Sequence, residues 1–295
     1  MRVAIDIRHV RDFGIGTYIR NLVPALGRLE TGAKFLLIGR ADDFESLGKL
    51  SGNFEFHPYS RMDRGVLQQL SFPLFYRQLK ADLAHIPLNV VPLAMPRPYV
   101  VTVHDMNELR FPAHTGIRQD WRAFRVRRGL ARATRVITVS SSTRRDLEEL
   151  LTIPSDRIEQ IYNAIDPRLF EESAALREEE RRALERYQIN APFLLYAGTI
   201  RPHKNIPRLV EAFAVLRGEF ANHPEYRDLR LVIMGDEISK NPALRRTVIQ
   251  TRMENSVRFL GFVPFETLRA FYRAARVFVF PSLYEGFGLP PLEAM

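Results

Sequence analysis

Apolar and polar positions fall into two successive series along the chain. In the first, Val3 to Ile7 is an apolar run interrupted only by Asp6, and it predicts a strand. A loop containing Gly14 and Gly16 follows, then helical spacing from about Thr17 to Leu29. Phe35 to Gly39 predicts a second strand and Phe54 to Tyr59 a weaker third. Asp82 to Ile86, Tyr99 to His104 and Arg135 to Val139 are further short apolar runs. Ser140-Ser141-Ser142 follows the last of them and introduces a helix from near Thr143. Strands alternating with helices predict βαβ units around a parallel sheet.

The second series begins with a strand over Phe193 to Gly198 and a helix from about Pro207 to Phe220. Strands at Leu229 to Gly235 and Val257 to Gly261 alternate with helices at Ala243 to Met253 and Phe265 to Ala275. Val277 to Phe280 predicts a fourth strand. Between the two series, Pro167 to Tyr187 is dense in glutamate and arginine and predicts a solvated helix or linker. A domain boundary within it gives units of 1–180 and 181–295. Ala133 to Ser140 weakly echoes Ala275 to Ser282: a small residue, an arginine, an apolar strand and a serine. The expected fold class is therefore α/β, with two Rossmann-like domains facing a cleft and ligands at the carboxyl ends of the strands.

Composition narrows the function class. Hydrophobic residues make up 46% and charged residues 26% of the 295, the balance of a globular chain rather than a disordered one. No apolar run approaches the roughly 18 residues needed to span a bilayer. Cysteine is absent, which excludes disulfides, thiolate zinc sites and a cysteine nucleophile. Met1 to Asp6 enters a strand directly, unlike a signal peptide, so a cytoplasmic location is expected. The net charge is +9, from 43 basic and 34 acidic residues, and only five of the basic ones are lysine. Arginine suits planar, two-point contact with phosphate, so anionic partners are expected: nucleic acid, anionic lipid or a phosphorylated small molecule. A basic stretch over Arg118, Arg122, Arg125, Arg127, Arg128, Arg132 and Arg135, with Trp121 and Phe124 among the arginines, suits an anionic membrane surface. Trp121 and Phe124 are the only aromatics near these arginines, short of the repeated interleaving of a nucleic-acid stacking platform, and no nucleic-acid partner is expected.

Five constellations sit where a strand ends. Gly14-Ile15-Gly16-Thr17 follows the first strand and lets backbone approach an anion at a helix N-terminus, or else serves a tight turn. His104-Asp105 offers an imidazole that could donate to a sugar hydroxyl, shuttle a proton, or merely hold a loop. Arg201 and Lys204, three apart and just ahead of a helix, suit a diphosphate, against the alternative of solvated loop charges. Glu285 and Glu293 bracket Gly286, Gly288 and the Pro290-Pro291 helix start; acceptor-only carboxylates suit sugar hydroxyls. Asn163-Ala164-Ile165-Asp166 reads as a turn at the domain junction.

Together these segments resemble the retaining glycosyltransferases of family 4, of the GT-B fold. The resemblance rests on Gly14 to Tyr18, His104-Asp105, Asn163 to Asp166, Tyr196 to Thr199 with Lys204-Asn205, and the E-x7-E signature Glu285 to Glu293. It is similar in outline to bacterial mannosyltransferases of lipopolysaccharide or exopolysaccharide synthesis. The resemblance implies an N-terminal acceptor domain and a C-terminal donor domain. It implies His104 and Glu285 at the transferred sugar, with the Phe287, Gly288 and Leu289 backbone beside sugar and phosphate. Arg201 and Lys204 would hold the diphosphate, Glu293 the ribose, and Gly16 would lie near phosphate and acceptor. No cofactor or metal is implied; the donor is a nucleotide-diphosphate sugar, with GDP-mannose a candidate, and the acceptor a glycan or lipid-linked glycan. Such an enzyme would work in the cytoplasm or at the inner face of the membrane. The family normally continues beyond the position of Met295, so an incomplete second domain is expected, with an apolar edge at Val277 to Phe280. A sugar-nucleotide epimerase or phosphorylase of the same fold, and an inactive remnant, are the alternatives.

Overall fold

A computed structural model describes residues 1–12, 14–29, 31–60, 68–112, 116–235 and 238–295, with the backbone alone at Gln68 and Arg118. The chain divides into two compact units. The first comprises Met1–Asp166 with Glu285–Phe287, and the second comprises Pro167–Tyr284 with Gly288–Met295.

In the first unit, the strands are β1 (Arg2–Asp6), β2 (Lys34–Gly39), β3 (Phe54–Pro58), β4 (Leu83–Ile86), β5 (Tyr99–Val103), β6 (Arg135–Thr138) and β7 (Ile158–Gln160). Helices α1 (Ile15–Gly27), α2 (Ala41–Glu45), α3 (Gln68–Gln78), α4 (Asn107–Arg110), α5 (Ile117–Arg132) and α6 (Ser141–Leu151) lie between them. The strands form a parallel sheet in the order β3-β2-β1-β4-β5-β6-β7. The strand order reverses between β1 and β4, the kind of position at which ligands bind outside the carboxyl ends of an open α/β sheet. Core residues pack on both faces: Ala4, Ile38, Ile86 and Val101 belong to one cluster, and Ile5, Leu37, Ile19 and Val23 to another. That two-sided cover is why β1, β2, β4 and β5 read as largely apolar runs with few polar breaks.

In the second unit, α7 (Ala174–Arg186) precedes β8 (Phe193–Gly198), α8 (Ile206–Glu219), β9 (Arg230–Gly235), α9 (Pro242–Gln250), β10 (Val257–Gly261), α10 (Phe265–Ala274), β11 (Val277–Phe278) and α11 (Leu289–Ala294). The described strands form a parallel sheet in the order β10-β9-β8-β11. The strand expected over Val277 to Phe280 is ladder-paired only at Val277 and Phe278, and Val277 is 53% exposed at the sheet edge.

The units divide between Asp166 and Pro167, ahead of the boundary expected after residue 180, because the charged segment folds onto the second unit. Ser173 caps α7 by accepting from the Leu176 N–H at 3.1 Å. Glu180 meets the guanidinium of buried Arg269 on α10 at 3.1 Å and that of Arg273 at 3.5 Å. Arg269 also donates to the Arg168 carbonyl at 3.2 Å, and Arg273 to the Glu171 carbonyl at 3.1 Å. Glu180→Ala leaves Arg269 buried without its carboxylate. It should lower the unfolding free energy by about 3–5 kcal/mol in urea titrations, while Glu179→Ala, on the exposed side of α7, should change it by under about 0.5 kcal/mol.

Candidate functional site

At the carboxyl end of β5, Thr102 is buried and joins two other side chains. Its hydroxyl lies 2.8 Å from His85 Nε2, at the end of β4, and 3.0 Å from the Tyr18 hydroxyl on α1. Tyr18 turns its ring edge to both imidazoles, with centroids 5.0 Å from His104 and 6.2 Å from His85. Burial raises the Tyr18 pKa, so its hydroxyl stays protonated.

His104 makes a hydrogen bond to the Pro87 carbonyl, while its Nε2 is out of solvent and has no hydrogen-bond partner among the described residues. The nitrogen that serves Pro87 is therefore Nδ1, and it must donate, since a carbonyl only accepts. Burial pulls the His104 pKa down to about 4, although Asp105 and the Pro87 carbonyl act in the opposite direction. His85 is likewise pulled down to about 4, by burial first and then by His104. Both rings are neutral at pH 7. In this tautomer His104 Nε2 carries a lone pair, so it accepts a hydroxyl rather than donating to one.

The segment Glu285–Phe287 belongs to the first unit. Gly286 is buried, and a Cβ there would collide with the His104 carbonyl oxygen. Thr143, at the start of α6, donates to the His104 carbonyl at 3.3 Å and to the Gly286 carbonyl at 3.4 Å. Glu285 is half-buried beside this contact, and the Phe287 ring lies 6.1 Å from that of Tyr162. Asn21 on α1 donates to the Ala164 carbonyl at 2.9 Å and so ties down the Asn163-to-Asp166 turn. Gly16 has an internal reason to be glycine: a Cβ would strike the Val10 carbonyl, which also accepts from Arg20. Gly14 caps α1 at φ 64°, a conformation that favours glycine.

In the second unit, the turn after β8 holds Arg201, exposed, and Lys204, half-buried with Nζ 5.5 Å from the centre of the Phe280 ring. Asn205 at φ 58° starts α8 without a side-chain cap. The Leu283 N–H donates to the His203 carbonyl at 2.8 Å, tying the segment after β11 to this turn. Gly288 at φ 91° opens α11, with Leu289 buried beneath it and Pro290 and Pro291 in the first turn. Glu293 accepts from the Tyr272 hydroxyl at 2.9 Å.

The structure thus gathers His104, Glu285 and Phe287 in the first unit, with Gly16 at the foot of the helix that carries Tyr18. Arg201, Lys204, Gly288, Leu289 and Glu293 belong to the second unit. Sequence patterning assigned no role to His85, Thr102 or Tyr272. A polar residue inside an apolar run, as in Ala84-His85-Ile86, is the available signal for His85.

Comparison with known proteins extends over the whole chain. Residues 14–169 match the family model described as Glycosyltransferase Family 4, and residues 177–295 match that described as Glycosyl transferases group 1. The chain is 34% identical over 222 residues to O-antigen chain mannosyltransferase B of Escherichia coli, across 74% of this chain and 56% of that protein. It is 27% identical over 207 residues to O-antigen chain mannosyltransferase RfbU of Salmonella typhimurium, across 70% of this chain and 51% of that protein. The chain thus spans about half the length of these curated relatives. The solved structure of HepE from Anabaena in complex with UDP-glucose superposes with a TM-score of 0.73 at 17% identity, across 100% of this chain and 78% of that one. At that identity the likeness shows a shared fold.

The two depressed histidines set an acid limit on stability. Their folded pKa values near 4 lie below the 6.5 of a free imidazole. Above pH 6.5 both states are unprotonated and the contribution is complete. As pH falls towards 4, only the unfolded chain takes up protons and stability is lost. For buried His85 the loss over that window is about 3 kcal/mol. The unfolding midpoint should fall between pH 7 and pH 4.5, and fall less steeply in His85→Gln, as followed by circular dichroism on heating.

Proposed function

The chain belongs to glycosyltransferase family 4, and on that premise we propose that it moves a hexose from a nucleoside-diphosphate sugar to a glycan or lipid-linked acceptor, with retention of configuration. Mannose is the candidate sugar and GDP-mannose the candidate donor, as the relatives named mannosyltransferases suggest. The observation that carries the proposal is the His104 ring: locked to Pro87 through Nδ1, neutral, and with Nε2 buried and unpartnered among the described residues. Such a nitrogen suits a ligand hydroxyl, because a buried acceptor left without a donor is costly.

In the first unit, His104 accepts a hydroxyl of the transferred sugar and Glu285 accepts another. Gly16 lets α1 begin close to the phosphate and acceptor. In the second unit, Arg201 and Lys204 neutralise the diphosphate as its charge grows, which is how a leaving group is stabilised without proton transfer from the protein. The backbone of Phe287 in the first unit, and that of Gly288 and Leu289 in the second, serve sugar and phosphate, and Glu293 of the second unit accepts from the ribose. The bond from the anomeric carbon to the diphosphate oxygen breaks as the bond to the acceptor oxygen forms. The departing diphosphate takes the acceptor's proton. No metal or organic cofactor enters this scheme.

Glu285→Ala and Lys204→Ala should each abolish transfer while leaving the unfolding midpoint within a degree or two of wild type. Lys204→Ala should also weaken nucleoside-diphosphate binding about tenfold or more, the cost of one charge-assisted hydrogen bond. Product formation from radiolabelled nucleotide sugars and thermal shift with the free nucleotides measure the two effects. Wild-type turnover in both variants would overturn the assignment.

The acceptor side supports a seat at the inner, cytoplasmic face of a membrane. No described helix is long and apolar enough to cross one. On α5, Ile117, Trp121 and Phe124 are exposed, opposite buried Val126 and Leu130, and the Trp121 and Phe124 rings stack at 5.6 Å. On the same helix Arg127 and Arg128 are exposed, Arg125 and Arg132 are half-buried, and Arg122 pairs with Glu108; the Arg118 side chain lies outside the described residues. Aromatic side chains suit the headgroup region, and each basic residue adds about 1 kcal/mol at an anionic surface. Flotation should recover the chain with vesicles containing phosphatidylglycerol and much less with neutral ones, and Trp121→Ala with Phe124→Ala should reduce recovery. Equal recovery on both vesicle types removes the electrostatic basis.

A further inference from the structure

We propose that Tyr272 is a positioning residue that fixes the Glu293 carboxylate for the ribose of the donor, and thereby makes the chain select ribonucleotides over deoxyribonucleotides; this rests on the donor reading above. The geometry lies wholly within the second unit. Tyr272 sits on α10, Glu293 on α11, and the phenol oxygen is 2.9 Å from Glu293 Oε2. The Tyr272 ring is buried and meets Phe278 edge to face, with centroids 5.4 Å apart. Its hydroxyl pKa is raised by burial and then by Glu293 itself, so the phenol keeps its proton and acts as the donor of this bond.

A glutamate has three side-chain torsions and loses several rotamers when it binds. A ligand that must order it gives up that entropy from its own affinity. Here one carboxylate oxygen already accepts from a phenol that core packing holds in place. One oxygen of the carboxylate is thus held before a ligand arrives. A carboxylate offers about four lone-pair positions across two oxygens, and the phenol takes one. The 2′ and 3′ hydroxyls of a ribose are adjacent donors, and a carboxylate of fixed orientation can accept from both. A mobile carboxylate would still attract hydroxyls but would distinguish one from two less sharply. A site built to bond a hydroxyl discriminates against the ligand that lacks it, because its polar group is then left unmet. Tyr272 contributes no contact to the ligand in this scheme; it acts through Glu293.

The test is calorimetric titration of the full 295-residue chain with GDP and UDP and with their 2′-deoxy and 2′,3′-dideoxy counterparts. The variants are Tyr272→Phe, which keeps the ring against Phe278 and removes one oxygen, and Glu293→Gln. Thermal unfolding of each variant checks that the fold is retained. Wild type should bind its preferred ribonucleotide about tenfold more tightly than the deoxy forms, the scale of one good hydrogen bond. In Tyr272→Phe the ribonucleotide should weaken until that ratio falls to about two, with the dideoxy affinity unchanged. Glu293→Gln should show the same collapse. A ribose preference that survives Tyr272→Phe overturns the inference. So does an equal weakening of ribonucleotide and dideoxynucleotide, which would make Tyr272 a support for α11 alone. Wild-type binding with no ribose preference overturns it too, while leaving the donor reading intact. Absence of binding by any nucleotide overturns both.

Discussion

Removing an imidazole from water sets the terms for the first unit's candidate chemistry. A charged ring would not tolerate the surroundings of His104 and His85, so both are neutral at physiological pH. A neutral ring has one donor and one acceptor, and the Pro87 carbonyl claims the donor of His104. Everything near the ring then has to respect an acceptor at Nε2. Thr102 sits between His85 and Tyr18 and gives each a hydrogen-bonding partner, so two further buried polar groups are satisfied without placing a charge there. Tyr18 couples this arrangement to α1, which is why the glycine turn ahead of that helix matters to the site. Gly16 packs the first turn against the Val10 carbonyl and so brings Tyr18 to the strand ends.

The second unit reaches a comparable result through backbone approach. A Cβ on Gly235 would collide with the Gly198 carbonyl, so β8 and β9 run together to their carboxyl ends with no side chain between them. Beyond that point the chain turns through Pro202–Lys204 into an uncapped helix start. Tyr196 donates to the Thr199 carbonyl at 2.9 Å and holds the beginning of the turn from inside the core. Cationic side chains are thereby presented from a stiff support rather than from a loose loop.

The alternation of strands and helices was legible because both sheets are covered on two faces, which leaves apolar runs of strand length with polar ends. His104, Lys204 and the Glu285-to-Glu293 segment were legible for the same reason: they stand where such runs stop. The charged stretch around Glu180 reads as a solvated helix or linker, and it is a helix with no buried residue, although Glu180 itself meets Arg269 and Arg273. Its composition is that of an exposed helix, and only the distant Arg269 and Arg273 turn one face inward. His85, Thr102 and Tyr272 went unassigned for a related reason. Their meaning comes from partners 17, 84 and 21 positions away, and no local period encodes those pairings.

The arginine content looks different once each side chain has a place. Arg8 is buried against Asp6 and lies over the Phe72 ring, with 4.4 Å from its guanidinium carbon to the ring centre. Arg40 pairs with buried Asp43, and Arg110 with buried Asp146. Arg157 donates to the Ala131 carbonyl at 2.9 Å and also reaches that of Ala133, beyond the end of α5. Arg269 serves Glu180. These cations order carboxylates and carbonyls of their own unit, where the planar fork of arginine is worth more than the point charge of lysine. They add to the net charge without advertising a partner. Two sets of cations remain that combine their charge with a second feature suited to an anion: exposed Arg127 and Arg128 on α5, and exposed Arg201 with half-buried Lys204 after β8. The first combines its charge with exposed aromatic rings, which suits an extended surface. The second combines it with a helix start, which suits a compact phosphate group.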